Sequence, residues 1–112
     1  MASEIIYLAS PYSHPDPAVR EQRFQAVCWE AAWMTKSGLT VFSPIAHSHN
    51  IALHGLPLDW SYWERVDRAF LSACSSLTVL MLDGWRESRG VQAEIVWARE
   101  LGKPVNYAEP IK

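Results

Sequence analysis

The sequence has few cysteines, no long apolar run and no excess of positive charge. Its two cysteines, Cys28 and Cys74, fall in predicted helices without CxxC spacing, which is typical of buried, reduced thiols. No apolar stretch is long enough to cross a membrane, and no leader-like segment precedes the first predicted strand. We therefore expect a cytoplasmic protein without membrane contact.

The charge balance argues against long nucleic acid as a partner. The chain has 10 Lys and Arg against 12 Asp and Glu, a formal net charge of -2, so no basic patch is indicated. A small anion is still compatible, since a few arginines and a helix N-terminus suffice to bind one. With 49% hydrophobic residues and no visible repeat, the 112 residues predict one globular domain over positions 1–112.

The order of the predicted elements indicates an α/β fold. Short apolar runs rich in β-forming residues predict strands at 4–9, 39–43, 77–82 and 104–107. Stretches with helical spacing of apolar residues lie between them. Strands that alternate with helices favour a parallel sheet covered on both faces. We expect a flavodoxin-like or Rossmann-like three-layer sandwich with four or five strands in the order 2-1-3-4.

Capping patterns predict where the helices begin. Asp16 and Pro17 are an N-cap and a first helical residue. Ser61 and Glu64 form a capping-box pattern at the second helix. Residues 45–58 have no clear period, so we expect a long irregular loop there.

Two acidic residues interrupt apolar helical stripes. Glu94 lies on the stripe of the last predicted helix, in the first turn after a strand-to-helix loop. Ligands of parallel sheets bind at such positions, so Glu94 is a candidate nucleophile or general base. The alternative is an ordinary ion pair with Arg89 or Arg99. Asp67 interrupts the preceding stripe in the same way, one turn after Trp63.

Two loops flank the predicted crevice, at residues 10–15 and 83–90. Ser88 and Gly90 precede a helix N-terminus, where free N–H groups suit an anion and glycine permits close approach. Ser88 as an ordinary N-cap is the alternative, and both can hold for one serine. Ser10 is a candidate contact to the same anion from the facing loop.

Three tryptophans are candidates to stack on a flat ring: Trp60, Trp63 and Trp85. Trp63 fits a core position better, whereas Trp85 lies in a loop and is the stronger stacking candidate.

A histidine-rich segment raises a metal site as a further alternative. His47, His49 and His54, with Asp59 after them, could supply ligands. Their spacing lacks the fixed geometry of a metal motif, so we expect solvated or pocket-rim histidines and no bound metal.

These blocks together resemble the nucleoside 2-deoxyribosyltransferase superfamily, which includes the 2′-deoxynucleoside 5′-phosphate N-hydrolases, and within it a small phage-associated branch. The similarity spans nearly the whole chain. The motifs that carry it are Ile6-Tyr7-Leu8-Ala9 with Ser10-Pro11-Tyr12, Asp67, Asp83-Gly84, Ser88-Arg89-Gly90, Glu94 and Gly102-Lys103-Pro104.

The resemblance implies a role for several residues. Glu94 matches a catalytic glutamate that attacks the anomeric carbon, and Tyr7 matches a tyrosine that orients this glutamate and would keep it ionised. Asp67 matches an acidic residue near the sugar or base, able to donate a proton only if its pKa is raised. Ser88 lies where the nucleotide hydrolases use a serine against the 5′-phosphate.

We therefore expect cleavage or transfer at the N-glycosidic bond of a nucleoside or nucleoside 5′-monophosphate, without a cofactor. The further candidate substrate contacts are Asp83, Gly84 and Trp85. The many tryptophans and a half-open crevice suggest self-association as a dimer. Two alternatives are a non-catalytic nucleotide-binding or sensing module, and a metal-dependent hydrolase built on the histidine segment.

Overall fold

A four-stranded parallel sheet is the centre of the fold in the computed structural model, which describes residues 4–111. The elements, in chain order, are β1 (Ile6–Ala9), α1 (Pro17–Lys36), β2 (Val41–Phe42), α2 (Pro44–Ala52), α3 (Trp60–Ala73), β3 (Ser76–Leu80), α4 (Arg89–Glu100) and β4 (Val105–Ala108). The strand order β2-β1-β3-β4 confirms the predicted fold class and the order 2-1-3-4. Residues 1–3, from which the absence of a leader was argued, lie outside the described residues.

Alternation along β1 sends successive side chains to opposite faces of the sheet. Leu8 packs with Val27 and Met34 of α1 on one face. Tyr7 packs on the other face, in a cluster with Ile95 of α4 and residues of α3. The sheet is therefore the middle of three layers, and Tyr7 points towards the layer that carries Glu94 and Asp67. Across residues 4–111, no helix is both long and apolar enough to cross a bilayer.

The start of α1 is confirmed, whereas the start of α3 differs from the prediction. Asp16 caps α1 by accepting from the backbone N–H of Ala18 at 2.9 Å. α3 begins at Trp60 with Asp59 as its N-cap, so the capping box predicted from Ser61 and Glu64 does not form. Ser61 lies inside the first turn, and its hydroxyl donates to the Asp59 carboxylate instead.

The predicted irregular loop at 45–58 is wrong over its first half, where α2 forms. Ser43 caps this helix by accepting from the N–H of Ala46 at 3.0 Å, and Pro44 occupies its first turn. The buried face has no large apolar residue to produce a recognisable period; it consists of Pro44, Ser48 and Ala52.

Candidate active site

A cavity of about 700 Å³ lies where the loops after β1 and β3 meet the first turns of α3 and α4. Its lining includes residues 10 and 12–15 of the first loop and residues 84 and 87–90 of the second. Tyr7 of β1 contacts Glu94, which is one of the residues that line the cavity. The two loops predicted to flank one crevice therefore do so in the structure.

Glu94 faces this cavity from the first half of α4 and is only 3% exposed. The buried hydroxyl of Tyr7 donates a hydrogen bond to its Oε2 atom. The alternative partner Arg99 points elsewhere, since its guanidinium donates to the Tyr107 hydroxyl at 3.3 Å. Glu94 is thus positioned by β1 and aimed at the cavity, as its place on the helical stripe suggested.

Asp67 reaches the same cavity from α3 and is 6% exposed. Burial raises the pKa of Asp67 to about 7. Burial also raises the pKa of Glu94 to about 8; the Tyr7 hydrogen bond opposes this shift, and the nearby charge of Asp67 adds to it. Near neutral pH the two carboxyl groups therefore share protons. The expectation that Tyr7 keeps Glu94 ionised is corrected: desolvation outweighs one hydrogen bond.

The Tyr7 hydroxyl stays protonated throughout this range. Its pKa lies well above the ordinary value because burial disfavours the phenolate and the Glu94 charge disfavours it further. Tyr7 therefore keeps the proton that it donates to Oε2 of Glu94, which leaves the other carboxyl oxygen of Glu94 for chemistry.

An unsatisfied hydroxyl and a helix N-terminus form the polar side of the cavity. Ser10 is 6% exposed, lines the cavity, and its Oγ has no hydrogen-bond partner among the described residues. Ser88 caps α4 by accepting from the N–H of Val91 at 3.2 Å, and it also lines the cavity. Both proposed roles of Ser88 are therefore compatible with its position. Arginines at positions 20, 23 and 89 add positive charge to the wall.

Arg23 bridges the two loops and was not anticipated from the sequence. Its Nη1 donates to the Ser13 carbonyl at 3.0 Å and its Nη2 to the Asp83 carbonyl at 3.2 Å. Gly84 has φ +91°, and a Cβ there would lie 2.7 Å from Arg23 Nη2. Asp83 lies outside the cavity lining and contributes its carbonyl to this bridge, whereas Gly84 lines the cavity. The nearest sequence signal was only the position of an arginine early in α1.

Of the three candidate tryptophans, Trp60 and the buried Trp63 line the cavity and Trp85 does not. Trp60 lines the cavity, stacks on Trp97 at 5.7 Å between ring centroids, and lies over Gly90. Trp85 packs against the hydrophobic core and lies 5.7 Å from the Tyr107 ring, outside the cavity lining. The loop turns this side chain towards β4, which is a direction that the sequence did not reveal.

The three histidines of the predicted loop have different surroundings. His49 lines the cavity between Tyr12 and Glu21. His47 lies 5.2 Å from the ring of Phe70, and His54 is exposed. Within residues 4–111, no three or more His, Cys, Asp or Glu side chains are grouped so that they could hold a metal ion.

Comparison with known proteins supports the fold and identifies the family. No curated protein matches this chain. A solved structure of 2-deoxyribosyltransferase from Bacillus psychrosaccharolyticus is similar, with a TM-score of 0.68 and 24% identity over 95% of this chain and 72% of that chain. At this identity the likeness shows a shared fold. The model of the family described as "Domain of unknown function (DUF1937)" matches residues 4–109, and the chain therefore belongs to the DUF1937 family.

Proposed function

We propose that this protein cleaves or transfers at the N-glycosidic bond of a nucleoside or nucleoside 5′-monophosphate, with Glu94 as the nucleophile. The observation that carries the proposal is the pair of buried carboxyl groups, Glu94 and Asp67, at one cavity, with Tyr7 bound to Glu94. The fold shared with a protein named 2-deoxyribosyltransferase supports nucleoside glycosyl transfer as the chemistry.

The two carboxyl groups divide the work of the first step. The free oxygen of Glu94 bonds to the anomeric carbon as the C–N bond breaks, and Asp67 donates its proton to the departing base. Water then attacks the glycosyl ester in a hydrolase, or a second base does so in a transferase, and Asp67 takes the proton back. No cofactor enters either step.

The reactive form needs Glu94 ionised and Asp67 protonated. Burial raises the pKa of both groups towards the neutral range, so the pair holds protons at rest. The reactive arrangement is therefore accessible near neutral pH, and positive charge developing on the sugar stabilises it further.

The rest of the cavity fits a nucleoside or nucleotide. The Trp60 ring offers a flat apolar surface for a base. The partnerless Ser10 hydroxyl and the N-terminus of α4 are suited to a 5′-phosphate, which would be held by N–H and O–H donors.

A non-catalytic nucleotide-binding module is the second candidate. The raised pKa of Glu94 favours it, because a protonated carboxyl group is a poor nucleophile and a good ligand for a polar group. The metal-dependent hydrolase has no comparable support, since the three histidines have separate surroundings.

Release of free base separates the two candidates. The protein is incubated with a panel of deoxynucleosides and their 5′-monophosphates, and free base is quantified by chromatography. We expect release by the wild type, none by Glu94→Gln, and undiminished release by Glu100→Gln, an exposed position on the same helix. Adding a second free base tests transfer, because a new nucleoside then appears.

Two results would reject the enzyme. Binding without turnover across the whole panel would establish the binding module instead. Equal release by Glu94→Gln and the wild type would remove Glu94 from the mechanism.

A further inference from the structure

A hydrogen-bonded chain of three side chains runs from the cavity to solvent. The Tyr12 hydroxyl lies 2.7 Å from His49 Nδ1, and His49 Nε2 lies 3.2 Å from Glu21 Oε1. Tyr12 and His49 line the cavity, whereas the Glu21 side chain is 54% exposed. None of the three has a part in the proposed bond cleavage.

The His49 ring is held firmly in this chain. Phe24 stacks on it with 4.0 Å between centroids and 17° between planes. Tyr12 contacts it edge-on at 5.6 Å and 85°. Only 11% of the His49 side chain is exposed, so its two nitrogens keep separate partners.

The chemistry of the partners fixes where the protons lie. The pKa of Glu21 is lowered by a hydrogen bond from Gln25 and by His49, so Glu21 is a carboxylate and can only accept. When the His49 imidazole is neutral, Nε2 must therefore carry its proton, which leaves a lone pair at Nδ1. Nδ1 can then only accept, and the Tyr12 hydroxyl must donate to it.

Arg20, which also hydrogen-bonds to Tyr12, cannot take its proton. Burial raises the pKa of Tyr12, which therefore remains a phenol. The Arg20 guanidinium, which acts on Tyr12 through its charge and a side-chain hydrogen bond, is a donor without any acceptor. With its single proton committed to His49, the Tyr12 oxygen has only lone pairs left, which accept from Arg20 and from a donor in the cavity.

We propose that Tyr12 presents a hydrogen-bond acceptor to the cavity and selects ligands that carry an N–H or O–H donor at that place. Tyr12 is the contact residue, and His49 and Glu21 are positioning residues that set its polarity. For the ligand class the inference rests on the proposed function: the donor is an exocyclic amino group of the base or a hydroxyl of the sugar.

Matched ligand pairs test this selection by calorimetry in the Glu94→Gln variant, which prevents turnover. Deoxyadenosine and deoxyinosine differ by an amino group against a carbonyl, and a nucleoside and its 3′-deoxy analogue differ by one hydroxyl. In the ligand pair whose varied group contacts Tyr12, the ligand that carries the N–H or O–H donor should bind about tenfold more tightly, as expected for one hydrogen bond. The pair that shows this preference tells whether the donor belongs to the base or to the sugar.

Two further substitutions distinguish polarity from a merely structural role. In Tyr12→Phe the preference should fall to about one, because the acceptor is gone. In His49→Leu, Tyr12 loses its acceptor and can donate its proton to a ligand in the cavity. If the base contacts Tyr12, this variant should prefer the carbonyl of deoxyinosine to the amino group of deoxyadenosine. If the sugar contacts Tyr12, the preference for the nucleoside over its 3′-deoxy analogue should be lost. A structural role would weaken both members of a pair equally and leave the ratio unchanged.

The outcomes separate this inference from the proposed function. A preference that persists in Tyr12→Phe, or binding without preference in both arms, would overturn the inference alone. Failure of every nucleoside to bind would overturn the proposed function and the ligand assignment with it. Nitrogen NMR of His49, assigned with His49→Leu, needs no ligand. The neutral Nε2–H tautomer is expected, and either the Nδ1–H tautomer or the doubly protonated ring would overturn the inference.

Discussion

At neutral pH, Glu94 either keeps a proton or places a charge in surroundings almost closed to water, because its side chain is 3% exposed and its pKa is raised to about 8. The Tyr7 hydrogen bond offsets only part of this penalty. A group held in this way destabilises the fold when it ionises, and the chemistry proposed for it requires that ionised form.

Glu94→Gln should therefore stabilise the protein while abolishing turnover. The amide keeps an oxygen for the Tyr7 hydroxyl but cannot ionise, so we expect a gain of about 1 kcal/mol near pH 8. Turnover should fall by at least about a thousandfold. Urea unfolding and base release measure the two effects. A destabilised Glu94→Gln would show that the charge of Glu94 supports the fold.

The sequence revealed the two carboxyl groups but not most of their neighbours. Glu94 and Asp67 are visible because each replaces an apolar residue in a helical stripe. Tyr12 and His49 could not be linked, since their contact depends on a helix that the pattern does not show. The choice of Trp60 over Trp85 depends on the direction in which one loop turns, which no spacing encodes.

Among the elements, the loop after β3 is held in place by Arg23 of α1, which binds the Asp83 carbonyl. Gly84→Ala should disturb this bridge, because φ is +91° and the added Cβ would lie 2.7 Å from the guanidinium. Gly55→Ala is the matched control, with φ +97° and no atom within 4 Å. Both should lose about 1–2 kcal/mol of stability from backbone strain.

Only Gly84→Ala should also weaken ligand binding, by about tenfold, because the lining loop moves with Arg23. Calorimetry with the tightest-binding nucleotide of the panel measures this difference. Equal affinities in the two glycine variants would show that the bridge does not shape the cavity.

The N-terminus of α4 gives a second element-scale prediction. Ser88→Ala and Ser43→Ala each remove a serine N-cap, from α4 and α2 respectively, and each should lose about 1 kcal/mol of stability. Only Ser88→Ala should selectively weaken binding of a 5′-monophosphate relative to its nucleoside, because Ser88 lines the cavity and Ser43 does not. An unchanged ratio in Ser88→Ala would exclude phosphate at this helix end.

The error at α2 has a physical cause. Ser43-Pro44 repeats the cap-and-proline signal that correctly marked the start of α1 at Asp16-Pro17. The hydrophobic period of α2 is weak because its buried face carries Ser48 and Ala52 in place of large apolar side chains. A helix that packs through small and polar residues leaves a capping signal but little hydrophobic period.

For the molecule as a whole, the buried carboxyl pair predicts that stability falls as pH rises. The pKa of Glu94 rises from 4.5 to about 8 and that of Asp67 from 3.8 to about 7. Between these values the folded state holds more protons than the unfolded state. The stability that the two protonated carboxyl groups contribute is complete below about pH 4 and is lost as the pH rises to about 8. Urea unfolding at constant ionic strength measures this slope.

The variant that combines Asp67→Asn and Glu94→Gln isolates the contribution of the pair. Its free energy of unfolding should depend less on pH than that of the wild type over the same range, since neither amide titrates. Identical slopes in the two proteins would mean that the carboxyl groups titrate normally and are open to water.

The strand order could be predicted because alternating strands and helices leave few parallel topologies, and the short apolar runs gave all four strands. The single domain over residues 1–112 and the dimer stay predictions, since both depend on surfaces that sequence periodicity does not describe.

The central claim is that Glu94 forms a bond to the sugar, and mass spectrometry of the acid-quenched reaction tests it most directly. The wild type is mixed with a deoxynucleoside from which it releases base, quenched at successive times and digested. We expect a transient added mass of one deoxyribosyl group on the peptide that contains Glu94, and none in Glu94→Gln. A first-formed product of inverted anomeric configuration, or an adduct on another residue, would contradict it.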